Sequence, residues 1–118
     1  MNVQKILIVD DDVFIIDAMQ KILQSWDYKV TSYDLGEQAL NSLRQDFFDI
    51  LITDLHMPEM DGLELIRRAK IIQPEIKAIL VTGLPISESR HKKNEVKLSG
   101  FLLKPINWNE LKALLAAL

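Results

Sequence analysis

Acidic side chains follow two of the apolar segments in this sequence. Three consecutive aspartates, residues 10–12, come directly after Ile6–Val9, and Asp54 comes directly after Ile50–Thr53. If both segments are strands of one parallel sheet, their carboxyl ends meet at one edge and these carboxylates converge. Like charges in one pocket repel one another unless a cation lies among them. The pattern therefore predicts a cation site made of carboxylate oxygens.

The predicted ligands are the side chains of Asp10, Asp11 and Asp54, and the sequence contains no cysteine. Hard oxygen ligands favour Mg²⁺, with Mn²⁺ as an alternative, over zinc. Mg²⁺ retains waters that phosphate oxygens can displace, so the same pocket can receive a phosphoryl group. Thr82 and Lys104 follow the fourth and fifth apolar segments, where they would supply a hydroxyl donor and a positive charge. Asp54 stands alone at its strand end and is the predicted nucleophile.

Short apolar or β-branched segments alternate with helix-length segments along the whole chain. The predicted strands are Ile6–Val9, Lys29–Tyr33, Ile50–Thr53, Ala78–Val81 and Phe101–Leu103. A helix is predicted after each strand, the third over Leu63–Lys70 and the fourth over 87–98. Because parallel neighbours need a crossover connection, five such repeats predict a parallel sheet covered by helices on both faces. The predicted architecture is a three-layer α/β sandwich.

Capping residues predict where several helices begin. Asp34 with Glu37, and Asn107 with Glu110, have the spacing of a capping side chain and its return partner for the second and last helices. Asp12 is interpreted as the cap of the first helix and is left out of the metal site.

Length and composition limit the class of protein. A chain of 118 residues, 48% hydrophobic and 26% charged, fits one globular domain over residues 1–118. The domain is expected either to be the whole native protein or to be excised from a longer one. The net charge of −3 argues against direct nucleic-acid binding. No apolar segment is long enough to span a membrane or has the form of a signal peptide, so a cytoplasmic location is predicted.

Four separated motifs occur in order: ILIVDDD at residues 6–12, DLHMPEMDG at 54–62, VTG at 81–83 and FLLKP at 101–105. Together they resemble the motif series of receiver domains, the CheY-like domains of two-component response regulators. The resemblance implies a flavodoxin-like, doubly wound fold with strand order 2-1-3-4-5.

The resemblance also implies roles for individual residues. Asp54 would be the phosphoacceptor, and Asp10, Asp11 and the backbone carbonyl of His56 would join it in binding Mg²⁺. Two residues, Thr82 and Lys104, would hold the phosphoryl oxygens. Phe101 would be the switch aromatic, which turns inward when Thr82 is drawn toward the phosphoryl group. The Lys104–Pro105 bond resembles the cis peptide of the family.

By the same resemblance, the phosphoryl donor would be a sensor histidine kinase or a histidine phosphotransfer protein. An output domain or target protein would bind the face formed by the predicted fourth helix, the fifth strand and the last helix, and a homodimer could form on phosphorylation. The domain would be a signalling phosphoacceptor rather than a conventional enzyme.

Three other functions fit parts of the sequence. A metal-dependent phosphatase with an aspartyl-phosphate intermediate would use the same nucleophile, but haloacid-dehalogenase-like enzymes carry a second Asp where this chain has His56. A degenerate receiver used only for docking would lack some of the residues needed for phosphoryl transfer, whereas this chain has a suitable residue at each of those positions. A flavin-binding carrier would need a phosphate-binding loop after Val9, where this chain has aspartates.

Overall fold

The computed structural model describes residues 3–83 and 96–118, which contain five strands and four helices. In chain order these are β1 (Lys5–Val9), α1 (Val13–Ser25), β2 (Lys29–Tyr33), α2 (Gly36–Gln45), β3 (Ile50–Asp54), α3 (Gly62–Ile72), β4 (Lys77–Thr82), β5 (Gly100–Leu103) and α4 (Trp108–Ala116). All five predicted strands are therefore confirmed, with boundaries shifted by at most one residue. Most of the predicted fourth helix lies outside the described residues.

The strands form one parallel sheet in the order β2-β1-β3-β4-β5, as the sequence predicts. The register places Asp54 opposite Val81 and Thr82 opposite Leu103. The order reverses direction at β1, so the crevice beside the carboxyl ends of β1 and β3 is where a ligand of such a sheet binds.

The sheet divides the core into two clusters. On one face the strands pack against α2 and α3 through side chains that include Leu40, Leu43 and Ile66. On the other face they pack against α1 and α4 through side chains that include Met19, Leu23 and Leu111. Residues of β3 are buried throughout, because helices cover both of its faces. The three-layer α/β sandwich is confirmed.

Two of the predicted caps are confirmed and one is wrong. Asp12 caps α1 and Asn107 caps α4, each accepting backbone N–H bonds from the first turn. The cap predicted at Asp34 is not formed, because α2 begins two residues later, after Leu35, with no side-chain cap. Its first residue, Gly36, lies against the Met60 side chain, since a Cβ atom added to Gly36 would be 3.1 Å from the Met60 sulfur.

Two other differences concern helix ends. The third helix begins one residue earlier and ends two residues later than predicted, at Ile72. Residues 96–98, predicted to end the fourth helix, are not helical, and Val96 and Leu98 pack against the α2 and α3 face of the core instead. Within the described ranges, none of the helices is both long and apolar enough to cross a membrane.

Candidate functional site

Three carboxylates meet at the carboxyl edge of the sheet. One oxygen from each of Asp10, Asp11 and Asp54 can be chosen so that all three lie within 4.8 Å of one another. Asp10 and Asp54 are buried, whereas Asp11 is exposed. One oxygen of Asp10 accepts the backbone N–H of Asp12 at 2.9 Å, which fixes the orientation of its carboxylate. The predicted convergence of these side chains is therefore observed.

Lys104 brings the opposite charge into this acidic cluster of Asp10, Asp11 and Asp54. Its Nζ lies 3.1 Å from an oxygen of Asp10 and 3.4 Å from an oxygen of Asp54. The lysine directly follows β5, and its backbone N–H donates to the carbonyl of Thr82 at 2.8 Å. The Lys104–Pro105 peptide is cis. One ammonium group is thus shared between two buried carboxylates.

The electrostatics show that this single cation does not neutralise the cluster. Burial raises the pKa of Asp54, and the charge of Asp10 raises it further against the opposing effect of Lys104. Burial also raises the pKa of Asp10, despite its bonds to Asp12 and Lys104. Burial by itself would lower the pKa of Lys104, but its hydrogen bond and charge interactions with the two carboxylates raise it overall. Among the described residues, Lys104 therefore offsets only part of the cost of burying the charges of Asp10 and Asp54.

The donor set fits a hard divalent cation. Three carboxylate oxygens close together, two of them on buried side chains, are the ligands that Mg²⁺ takes, with waters completing its coordination. Asp12 is not needed for such a site, because one of its carboxylate oxygens accepts the N–H groups of Phe14 and Ile15 at 2.9 and 3.4 Å. This agrees with the interpretation of Asp12 as a cap.

The remaining predicted site residues lie around this cluster. Thr82 is fully buried at the end of β4, next to Lys104 through the backbone bond described above. His56 is exposed in the loop that follows β3, two residues after Asp54. Phe101 lies opposite Leu80 in the sheet and packs, half buried, against the core on the α2 and α3 face. Phe101 thus belongs to the core on this face of the sheet and precedes Lys104 by three residues in the chain.

The comparison with protein families decides the class of this chain. The family model described as "Response regulator receiver domain" matches residues 6–116, nearly the whole sequence. The chain belongs to the receiver domain family.

Individual relatives agree with this assignment. The receiver domain is 32% identical over 110 residues to the transcriptional regulatory protein ZraR of Escherichia coli, covering 93% of this chain and 25% of that protein. It is 34% identical over 108 residues to the response regulator receiver protein CpdR of Brucella abortus, covering 92% of this chain and 90% of that protein. This chain thus spans about a quarter of ZraR but most of CpdR.

A solved structure shows the same fold. The CheY-like response regulator receiver domain protein from Methanospirillum hungatei superimposes with a TM-score of 0.92 at 29% identity, covering 98% of this chain and 93% of that one. The chain is therefore a phosphoacceptor signalling module by family, and its acidic cluster fits the phosphorylation site. This assignment disfavours both the phosphatase and the flavin carrier.

Two features of the receiver domain were missed by the sequence reasoning. The start of α3 lies against the backbone of Asp54. Gly62 is so close that a Cβ atom added to it would lie 2.2 Å from the Asp54 carbonyl oxygen. Phe14 is 83% exposed in the first turn of α1, just after the acidic residues. The motif at 54–62 contains the glycine, but no local pattern reveals which backbone atom it meets.

Proposed function

We propose that Asp54 accepts a phosphoryl group from a phosphohistidine of a partner kinase or phosphotransfer protein, in a reaction that depends on Mg²⁺. The observation that carries this proposal is the acidic cluster of Asp10, Asp11 and Asp54 with Lys104 Nζ 3.4 Å from Asp54. A buried carboxylate with both a cation site and an ammonium group beside it has what phosphoryl transfer needs, which is positioning and charge neutralisation.

In the transfer, a carboxylate oxygen of Asp54 forms a bond to phosphorus while the bond between phosphorus and the imidazole nitrogen of the donor breaks. The electron pair of the broken bond stays on that imidazole nitrogen. Lys104, together with the hydroxyl of Thr82, is proposed to hold phosphoryl oxygens. When bound, Mg²⁺ would neutralise negative charge on the carboxylates and on the phosphoryl oxygens. Its proposed ligands are Asp10, Asp11, Asp54 and the carbonyl of His56.

The surface beside the cluster favours a protein as the phosphoryl donor. A groove of about 330 Å³ is lined by Phe14, Ile15, Ala18, Lys104, Pro105, Ile106 and Trp108. Lys104 lines this groove and its Nζ also lies 3.4 Å from Asp54, so a partner that fills the groove is held next to Asp54. Val13 and Phe14, at the start of α1, are 60% and 83% exposed and offer apolar surface next to this groove.

The output surface is proposed on the face formed by the predicted fourth helix, β5 and α4. Phosphorylation converts the Asp54 carboxylate into an acyl phosphate that carries about two negative charges, a net gain of about one, and Thr82 with Phe101 would pass this change to the edge strand β5. Leu103 on β5 is 52% exposed and offers an apolar contact to a target or to a second copy of the phosphorylated domain. Most of the predicted fourth helix, over 87–98, lies outside the described part of the chain, which omits residues 84–95.

Intact-mass measurement tests the acceptor. After incubation with Mg²⁺ and a small phosphodonor such as acetyl phosphate, we expect the wild type to gain the mass of one phosphoryl group. Asp54→Asn should gain none, whereas the matched variant Asp17→Asn, on the exposed side of α1, should behave as the wild type. Labelling of Asp54→Asn would refute the acceptor assignment. Rapid turnover of small phosphate esters by the wild type would instead indicate a phosphatase.

A second comparison tests the protein donor. Phe14→Ala should slow transfer from a phosphohistidine protein about tenfold or more, because it removes an exposed anchor at the edge of the groove. The same variant should accept phosphoryl groups from acetyl phosphate at the wild-type rate. Ile71→Ala is the matched control, since Ile71 is 70% exposed near the far end of α3. Equal rates for both variants with the protein donor would contradict the proposed donor surface.

A further inference from the structure

We infer that Gly62 is a positioning residue for the metal and phosphoryl site. This inference rests on the proposed Mg²⁺ site. The absence of a side chain at Gly62 allows the start of α3 to contact the backbone of Asp54. That contact holds the loop of residues 55–61, which carries the proposed carbonyl ligand of His56, against the acidic cluster.

The close approach is a matter of space and not of backbone conformation. No glycine among the described residues has a positive φ. A Cβ atom at Gly62 would lie 2.2 Å from the carbonyl oxygen of Asp54, 3.0 Å from its carbonyl carbon and 3.0 Å from a methyl group of Leu80. The first two neighbours are main-chain atoms and cannot rotate away. Any side chain at this position must therefore displace either the backbone of Asp54 or the loop that leads into α3.

The backbone of Asp54 is less mobile than the loop that leads into α3. It is paired with Val81 in the sheet, and the following N–H group, of Leu55, donates to the carbonyl of Val81 at 2.9 Å. The hydroxyl of Thr53 donates to the Asp54 carbonyl at 2.9 Å. The backbone of Asp54 is thus held on one side by β4 and on another by Thr53, so a side chain at Gly62 would push the loop.

The loop is closed by a hydrogen bond from the N–H of Gly62 to the carbonyl of Leu55, at 2.8 Å. Within it, Met60 donates to the carbonyl of Pro58 at 2.7 Å, and Glu59 has a positive φ of 71°. A loop with both ends fixed and a tight turn between them has few ways to absorb a displacement. Movement at Gly62 is therefore expected to shift the carbonyl of His56 away from the cation site.

Two other glycines supply matched controls. A Cβ at Gly100 would lie 2.4 Å from the Leu114 side chain, so Gly100→Ala also creates a steric conflict, but between β5 and α4. A Cβ at Gly36 would lie 3.1 Å from the sulfur of Met60, whose side chain can move. Gly100→Ala should lower stability without moving the acidic cluster, and Gly36→Ala should have a small effect on both.

The experiment measures Mg²⁺ affinity by calorimetry and stability by urea unfolding for the wild type and the three alanine variants. We expect Gly62→Ala to bind Mg²⁺ at least tenfold more weakly than the wild type, with Gly100→Ala and Gly36→Ala within twofold. Adding Leu80→Val to Gly62→Ala removes only the side-chain conflict, so it should not restore binding. Recovery to within twofold would overturn the inference, as would wild-type affinity in Gly62→Ala alone.

Amide NMR of the wild type tests the inference even if Gly62→Ala does not fold. During an Mg²⁺ titration, the amide resonance of Gly62 should shift with the same midpoint as that of Asp54, while that of Gly100 should not. A stationary Gly62 resonance alongside a shifting Asp54 resonance overturns the role of Gly62 but leaves the metal site intact. A wild type that binds no Mg²⁺ refutes the proposed function and the inference together.

Discussion

Replacing Asp54 by asparagine should stabilise the metal-free protein, although Asp54 is close to a lysine. The substitution keeps the shape of the side chain and removes one negative charge from the acidic cluster. Asparagine can still accept a hydrogen bond from Lys104, which also retains its contact with Asp10. The change therefore isolates the charge of the carboxylate.

The magnitudes decide the direction of this effect. With an effective dielectric constant of about 20, repulsion from Asp10 within 4.8 Å is about 3.5 kcal/mol or more, and attraction to Lys104 at 3.4 Å is about 5 kcal/mol. Asp11 adds further repulsion, weakened because it is exposed to water. These charge interactions nearly cancel, so burial of Asp54, which is only 6% exposed, makes its charged form unfavourable. We expect Asp54→Asn to raise the free energy of unfolding by about 1 kcal/mol, the size of a typical single substitution.

Urea unfolding in EDTA and again in Mg²⁺ provides the assay. Mg²⁺ at a hundred times its dissociation constant should stabilise the wild type by about 2.7 kcal/mol, because it binds only the folded state. Asp54→Asn should lose most of this gain, while Asp17→Asn, at an exposed site on α1, should match the wild type in both conditions. A decrease in the stability of metal-free Asp54→Asn, or an equal Mg²⁺ effect in both proteins, would refute the reasoning.

Three other predictions follow from the same cluster. Lys104→Met should destabilise the metal-free protein by about 3 kcal/mol, because two buried carboxylates lose their shared cation. An unchanged midpoint of urea unfolding would contradict this. Burial raises the pKa values of Asp10 and Asp54 above 3.8, so protons should compete with Mg²⁺ at a higher pH than they would for free aspartates. The calorimetric affinity for Mg²⁺ should therefore fall as the pH is lowered, and an affinity that stays constant until the protein unfolds in acid would argue against this. Asp12→Asn should keep both the helix cap and the Mg²⁺ affinity, whereas Asp12→Ala should lower the free energy of unfolding by about 1 kcal/mol. A tenfold loss of Mg²⁺ affinity in Asp12→Asn would instead show that Asp12 is a metal ligand.

Much of the fold could be predicted because burial leaves a direct trace in the sequence. Strands such as β3, covered on both faces by helices, appear as unbroken apolar segments. The acidic cluster could be predicted for a related reason, since parallel topology forces residues that follow different strands to one edge. These inferences need only the order of the elements and not the packing of individual side chains.

Other features depend on packing between residues distant in the sequence. The spacing of Asp34 and Glu37 is that of a cap, yet α2 begins at Gly36, which lies against the side chain of Met60, 24 positions away in the chain. The proximity of Gly62 to the Asp54 carbonyl arises in the same way. Local pattern identifies a residue type that permits a close approach but not the atom that is approached. The single domain, the cytoplasmic location and the roles of the individual site residues stay predictions.

The structure also explains why the acidic cluster can persist although its charges oppose folding. The buried side chains on both faces of the sheet stabilise β1 and β3 independently of the residues at their carboxyl ends. That stability allows Asp10 and Asp54 to be held where neither would ionise most favourably. Lys104 is shared between them and so does not neutralise either one fully. The remaining negative charge is what a divalent cation can stabilise, so the same repulsion that weakens the metal-free fold favours cation binding.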